Sequence, residues 1–253
     1  MTRAVPSSAP IDDGASRRVT IAAGDPVRHR LDLLSPGLAE AIGIRTRRFA
    51  ARTVRARREI VHGGEWPVGV VALRSGWAAY VRHFVDGRRQ IQHLFLPGDP
   101  IVLDRRSPYP ATIVALSTAT LIDLDGLRTP DPAVFDDALR RHATLTLHHL
   151  LDATARLGRQ SAIERFAQLL LEVRGRLLPV GLVSEQSFQM PLTQEMLADL
   201  LGLTSVHVNR TLQAMRQQEL IALIGREVTL LQPDELARMA DYQSPPSPDA
   251  ATH

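Results

Sequence analysis

The hydrophobic period switches from strand-like to helical near residue 129, and that switch decides the class of fold. Over 52–124, short runs rich in Val, Ile, Leu and aromatic residues alternate with turn signals: His62-Gly63-Gly64, Arg74-Ser75-Gly76, Asp86-Gly87 and Pro97-Gly98-Asp99. Asp-Gly between two such runs is a strong hairpin signal. Many short strands at near-regular spacing predict a barrel or jelly roll. From Thr129 the spacing is helical, with Thr129 or Asp131 as a cap and Pro132 at the helix start. Ala143, Leu147, Leu150, Thr154 and Leu157 step by 4, 3, 4 and 3, the a/d seam that joins two helices in a coiled coil. A helix packed on its own domain is the other reading of the same pattern. A second amphipathic helix over 160–178 carries Ile163, Phe166, Ala167, Leu170 and Leu171, ends near Pro179 and leads into a loop over 180–189. Ahead of the strands, Leu31, Leu34, Leu38 and Ile42 predict a short helix over 31–48, broken at Ser35-Pro36.

Composition narrows the chemistry. The chain has 253 residues, enough for one large domain or two modest ones at about 150 residues each. It has no cysteine, which excludes disulfides, thiolate zinc sites, cysteine-ligated iron–sulfur clusters and cysteine nucleophiles. No apolar run approaches the roughly 20 residues of a membrane span, and the first 25 residues lack a signal-type apolar stretch, so the expected location is the cytoplasm. All 30 basic residues are arginine, each a planar fork suited to carboxylate or phosphate. The formal charge of +3 is unevenly spread: residues 1–128 hold 19 Arg and 12 acids, whereas residues 160–242 hold 7 Arg and 10 acids.

The acidic part nonetheless holds the best nucleic-acid motif. Residues 192–220 read LTQEMLADLLGLTSVHVNRTLQAMRQQEL. Thr193 is an N-cap, Glu195 stands in the first turn, and Met196, Leu197, Leu200 and Leu201 form an apolar stripe. Gly202 permits the left-handed backbone that closes a helix, Leu203 tucks into the turn, and Thr204 caps a second helix. That is helix-turn-helix spacing. At 100° per residue, Val208, Leu212 and Met215 share the core face with Thr211 beside them. Val206, Asn209, Arg210, Gln213 and Gln217 lie opposite. The outward face carries no carboxylate. It offers a guanidinium for guanine, amides for adenine and a methyl surface for thymine. Residues 220–223 and 227–231 form a hairpin around Gly225-Arg226, a wing from which Arg226 can reach a phosphate. Residues 233–240 read as a closing helix.

With these residues in view, the chain resembles the Crp/Fnr family of bacterial transcription regulators over roughly residues 32–240. The resemblance is carried by LTQEMLADLLGLTSVHVNRTL, the specific part, together with DGRRQIQHLFLPGDP and GRQSAIERFAQLLLE. It implies an α+β protein with an N-terminal β jelly roll of the cyclic-nucleotide-binding type, a long dimerisation helix and a C-terminal winged helix-turn-helix domain. The expected division is a disordered arm over 1–26, the β-roll over 27–128, the dimerisation helix over 129–159, the DNA-binding domain over 160–242 and a disordered tail over 243–253. The implied DNA-binding set is Thr193, Thr204, Ser205, Val206, His207, Asn209, Arg210, Gln213 and Arg226, with base reading by Ser205, Val206, Asn209 and Arg210. Family members often place Arg or Glu where Ser205 and Val206 stand, so the recognised site should share only part of the family consensus.

The chain departs from the family in the sensor. In cAMP-binding relatives a Gly-Glu pair followed by Arg-Ser holds the ribose and cyclic phosphate; here Tyr109-Pro110 occupies the Arg-Ser place and no Glu occurs between Glu65 and Glu164. Cyclic nucleotide binding is therefore not expected; Arg105-Arg106 is the only nearby charge that could substitute, and reads as a solvated turn. No cofactor is expected, and the family's iron–sulfur sensors are excluded with the cysteines. A haem-binding variant would use His62, His83 or His93 in the β region or His142, His148 or His149 on the seam helix, and no spacing among them is diagnostic. The expected partners are double-stranded DNA, a second copy of the chain and RNA polymerase, with the effector unknown. An enzyme of cupin type would need clustered ligands such as His-x-His, which the chain lacks. A ligand-binding or protein-interaction module whose winged helix no longer binds DNA is the other alternative, and the acidic balance of 160–242 is its best support.

Overall fold

The computed structural model describes residues 17–45, 47–63, 69–103, 111–124 and 132–243. The described residues open with strand β1 (Arg17–Val19) and helices α1 (Pro26–Leu34) and α2 (Leu38–Ala41). Eight strands follow among the described residues: β2 (Phe49–Val54), β3 (Glu59–Val61), β4 (Gly69–Ser75), β5 (Ala78–His83), β6 (Arg89–Phe95), β7 (Pro100–Leu103), β8 (Thr112–Ala115) and β9 (Ala119–Asp123). The long helix α3 (Pro132–Arg159) leads to α4 (Ala162–Leu177), β10 (Ser187–Gln189), α5 (Gln194–Leu201), α6 (Ser205–Gln217), β11 (Ile221–Ile224), β12 (Glu227–Leu230) and α7 (Pro233–Ala240).

The strands of the first half form two antiparallel sheets, β1-β2-β9-β4-β7 and β3-β8-β5-β6. Their inner faces enclose Val54, Leu73, Phe95, Ile101, Leu103, Ile113 and Leu121. The alternation that turns Ala78 inward turns Ala79 and Val81 outward, as a strand must. Those outward residues, with Ile91, Leu94 and Leu116, share one continuous core with α4, α5, α6 and the wing. The other face of the five-stranded sheet is covered by α1, α2 and the start of α3, through Leu31, Leu34, Leu38, Phe49, Ile122 and Ala138. The C-terminal half is thus packed directly on the β-roll, and Phe166 of α4 and Phe95 of β6 are fully buried on the two sides of the sheet.

Three expectations about the chain's course are corrected. The arm expected to be disordered over 1–26 is structured from Arg17: β1 pairs with the edge of β2, with Arg18 opposite Ala50. Asp25 is buried, accepts from the Val27 amide at 3.0 Å and binds Arg74 at 2.7 Å. A three-residue edge strand has too few residues to show a period. The helix expected over 31–48 begins earlier, at Pro26, because Asp25-Pro26 supplies an N-cap followed by the proline tolerated in a first turn. The loop expected over 180–189 contains β10, which pairs with β12 and extends the wing to three strands. The expected caps of α3, Thr129 and Asp131, the Arg105-Arg106 and Tyr109-Pro110 pairs, and residues 1–16 and 244–253 lie outside the described residues.

Gly98 shows how tightly the parts approach. Its φ is +99°, and a Cβ there would fall 2.8 Å from the Pro26 carbonyl oxygen and 3.0 Å from the Arg30 Cβ. Only glycine permits both the backbone turn and the contact with α1.

Candidate nucleic-acid interface

Two threonine caps set the helices of the interface. Thr193 Oγ1 accepts from the Met196 amide at 3.2 Å at the start of α5, and Thr204 Oγ1 accepts from the His207 amide at 3.2 Å at the start of α6. Between them Gly202 takes the left-handed conformation, φ 63° and ψ 39°. A Cβ on Gly202 would lie 3.1 Å from the Leu157 side chain of α3. Arg165 of α4 donates to the Leu201 carbonyl at 2.9 Å, satisfying an acceptor that the end of α5 leaves free. The turn of the motif is therefore seated on α3 and α4.

The sequence sorts α6 by face as the structure does. Val208, Thr211, Leu212 and Met215 are buried; Ser205, Val206, His207, Asn209, Arg210, Gln213 and Gln217 are exposed. Val206 is 64% exposed, far more than a packed valine. Arg216, not in the expected set, adds a further exposed cation on the same helix. No carboxylate occurs on α6. Thr204, Val206, His207 and Arg210 line one groove of about 610 Å³ with Ser161, Ala162 and Ile163 at the start of α4. The α4 residues were not in the expected set. Their signal was the Ser161-x-x-Glu164 spacing of a capping box, and the Ser161 amide does donate to Glu164 Oε2 at 2.7 Å. The wing is a tight hairpin with Ile224 opposite Glu227, which leaves Arg226 exposed at the tip beside Gly225.

Four acids of this domain are engaged away from that face. Glu195 and Asp199 of α5 bind Arg89 of β6 at 2.9 and 2.5 Å. Glu172 is buried between Arg156 and Arg176, and Glu235 pairs with Arg238. Burial alone would raise the Glu172 carboxyl, but Arg156 and Arg176 outweigh it and hold it down at about 2. The acidic sum of 160–242 thus does not describe the outward face of α6, and local potential decides phosphate contact.

Of the expected seam on α3, Ala143, Leu147 and Thr154 are exposed, Leu150 is partly buried, and Leu157 packs against Gly202 of its own chain. Leu151, absent from the expected set, is 59% exposed beside Leu147 at 54%. The inward face of the same helix is polar: His142, His149 and Arg156 are buried there at seven-residue intervals. Of the histidines considered as haem ligands, His93, His142 and His149 are buried, while His62, His83 and His148 are exposed. Among the described residues no group of three or more His, Asp or Glu side chains is arranged to hold a metal ion, and no helix is long and apolar enough to cross a membrane.

Comparison with known proteins agrees with this geometry. Residues 164–239 match the family described as the Crp-like helix-turn-helix domain. The nitrogen fixation regulation protein FixK of Bradyrhizobium diazoefficiens is 31% identical over 161 residues, which cover 61% of this chain and 67% of the relative. The transcriptional activator protein FnrL of Cereibacter sphaeroides is 28% identical over 215 residues, 79% of this chain and 84% of that one. Among solved structures, FixK2 from Bradyrhizobium japonicum superposes with a TM-score of 0.67 at 25% identity, covering 78% of this chain and 99% of that one.

Proposed function

Because the chain belongs to the Crp/Fnr family of transcription regulators, we propose that it binds DNA as a homodimer and sets two copies of α6 into a palindromic site one helical turn apart. The observation that carries this reading is the pairing of two faces: an exposed, acid-free face on α6 and an exposed apolar face on α3 around Leu147 and Leu151. A helix that turns His142, His149 and Arg156 inward and leucines outward is built to meet a second copy through the leucines. Arg210, beside Val206, Asn209 and Gln213, reads a base edge, and Arg226 anchors a phosphate.

The β-roll, in this reading, does not respond to cyclic nucleotide. The support is chemical: no Glu between Glu65 and Glu164 is available to a ribose, and Tyr109-Pro110 stands where the family's phosphate-binding Arg-Ser would be. No cofactor or catalytic role is assigned to it. RNA polymerase is the partner through which a bound dimer acts on transcription. The test is selection of bound sequences from random double-stranded DNA by the purified protein. An enriched palindrome with half-sites one turn apart supports the reading. Recovery of no sequence above the input pool returns the winged helix to a module that has lost DNA binding.

A further inference from the structure

The joint between α3 and α4 is only Gln160-Ser161, so little in the covalent chain sets the angle at which the DNA-binding domain leaves the long helix. Buried charge sets it instead. Arg176 of α4 donates to Asp99 Oδ2 at 2.7 Å, to the Leu94 carbonyl at 2.7 Å and to Glu172 Oε1 at 3.2 Å. Arg156 of α3 takes the other Glu172 oxygen at 3.1 Å. Arg30 of α1 reaches Asp99 Oδ1 at 3.1 Å and donates to the Arg176 carbonyl at 2.9 Å. One connected cluster therefore ties the long helix, the DNA-binding domain, the Pro97-Gly98-Asp99 turn of the β-roll and the N-terminal helix, and all five side chains are buried.

We propose that Arg176 is a positioning residue for DNA recognition: it clamps the DNA-binding domain to the β-roll in the one orientation that lets both recognition helices of a dimer engage together. Two physical points carry this. The apolar surface between the β-roll and α4–α5 favours contact without prescribing an angle, because hydrophobic attraction is non-directional. A planar guanidinium with acceptors on several sides is satisfied in one geometry, and a buried charge that loses a partner is strongly unfavourable. In the clamped state the reading face of α6 is exposed, and none of the five cluster residues lies on α5, α6 or the wing, so Arg176 acts on DNA only through orientation.

The proposal rests on the reading that the protein binds a palindrome as a dimer, and the experiment separates the two. Full-length wild type, Arg176→Met and Arg176→Lys are titrated against the selected palindrome, against an isolated half-site, and against palindromes with half-sites moved apart or together by one base pair. Linked engagement of two sites adds about 10²–10⁴-fold to affinity and is lost when geometry forbids it. Arg176→Met should lose about 10²-fold on the palindrome, keep its half-site affinity within about twofold, and discriminate poorly between spacings. Arg176→Lys, which keeps the charge and loses the fork, should fall between. Arg156→Met unties the same cluster from α3 and supplies the same readings should Arg176→Met not fold. Equal losses on half-site and palindrome would overturn the proposal, because Arg176 would then be supporting the fold alone. An unchanged palindrome affinity and spacing preference would overturn it as well. A wild type that gains nothing from the second half-site refutes the dimer reading instead.

Discussion

At the scale of single residues, the legible ones were those whose neighbours in sequence are also their neighbours in space. Thr193, Thr204 and Gly202 could be assigned because a cap and a left-handed turn act within three or four residues. Arg210 could be placed outward because helical spacing alone sets its face. Asp99 and Arg176 were illegible: a charged residue on a helix or turn reads as solvated, and what buries this pair is a contact across 77 residues of sequence. The sharpest residue-scale prediction concerns Arg210 and Arg226. If Arg210 forks onto a guanine, Arg210→Ala should weaken binding by about 1–3 kcal/mol per half-site and tolerate all four bases at one position. Arg226→Ala should weaken all sequences alike and lower the salt slope by about one per contact. Binding to a panel of single-base variants at several salt concentrations distinguishes them. The same sequence-independent loss in both variants would make Arg210 a backbone anchor.

At the scale of elements, period and punctuation predicted β5 and β6 around Asp86-Gly87, the α5–α6 motif and the wing, because each is closed by its own turn residues. They missed β1 and β10, three-residue strands whose identity comes from pairing with distant partners, Ala50 for Arg18 and Val228 for Phe188. The long helix lies between these cases. Heptad counting placed Leu147, Leu150 and Leu157 on one seam but could not tell which of them the chain itself covers, and it passed over Leu151: Leu157 is taken by the Gly202 turn, while Leu147 and Leu151 are left outside. Leu147 belongs to both the expected seam and the exposed face, so it is the position at which to test assembly. Leu147→Glu would place like charges together in an apolar contact between two copies, where unpaired burial is prohibitive. It should give a folded monomer with half-site affinity only. Because Leu147 is exposed within one chain, thermal stability of the monomer should change by no more than about 0.5 kcal/mol. A dimer that persists in sedimentation would move the interface off this face of α3.

At the scale of the whole molecule, the sequence announced separate parts but not how they are joined. The joint is a shared apolar core together with the buried cluster around Asp99 and Arg176, and both predict behaviour that no single part would show. Since no cyclic phosphate cradle is expected, millimolar cAMP or cGMP should leave melting temperature and DNA affinity unchanged. A saturable rise in melting temperature would reveal a replacement site, because a ligand that binds only the folded state must stabilise it. Acid should loosen the joint before it titrates the carboxylates. Burial first, and Arg176 second, push His93 down to about 3 and His149 to about 4. His142, whose ring is hydrogen-bonded to the Pro100 carbonyl, is pushed down to about 4 by burial, with Arg30 and Arg176 opposing its charge and Asp99 favouring it. The three rings thus stay neutral among Arg30, Arg176, Asp99 and Glu172. In the unfolded chain they take up protons at about 6.5. Between that value and about 4 the unfolded state binds more protons, so stability falls as pH falls through this window. Asp99 and Glu172 are held ionised by their arginines, and their contribution is lost as pH falls from the ordinary carboxylate range through their lowered folded values, about 2 for Glu172. Going from pH 7.5 to pH 5.5 should therefore remove roughly 1 kcal/mol per histidine, with the carboxylates silent. Urea unfolding at the two pH values measures the loss, and His149→Gln should shrink it by about one third. Equal stability at both pH values would mean that the three rings are open to protonation in the folded protein, and the buried joint would then be looser than the contacts around Arg176 require.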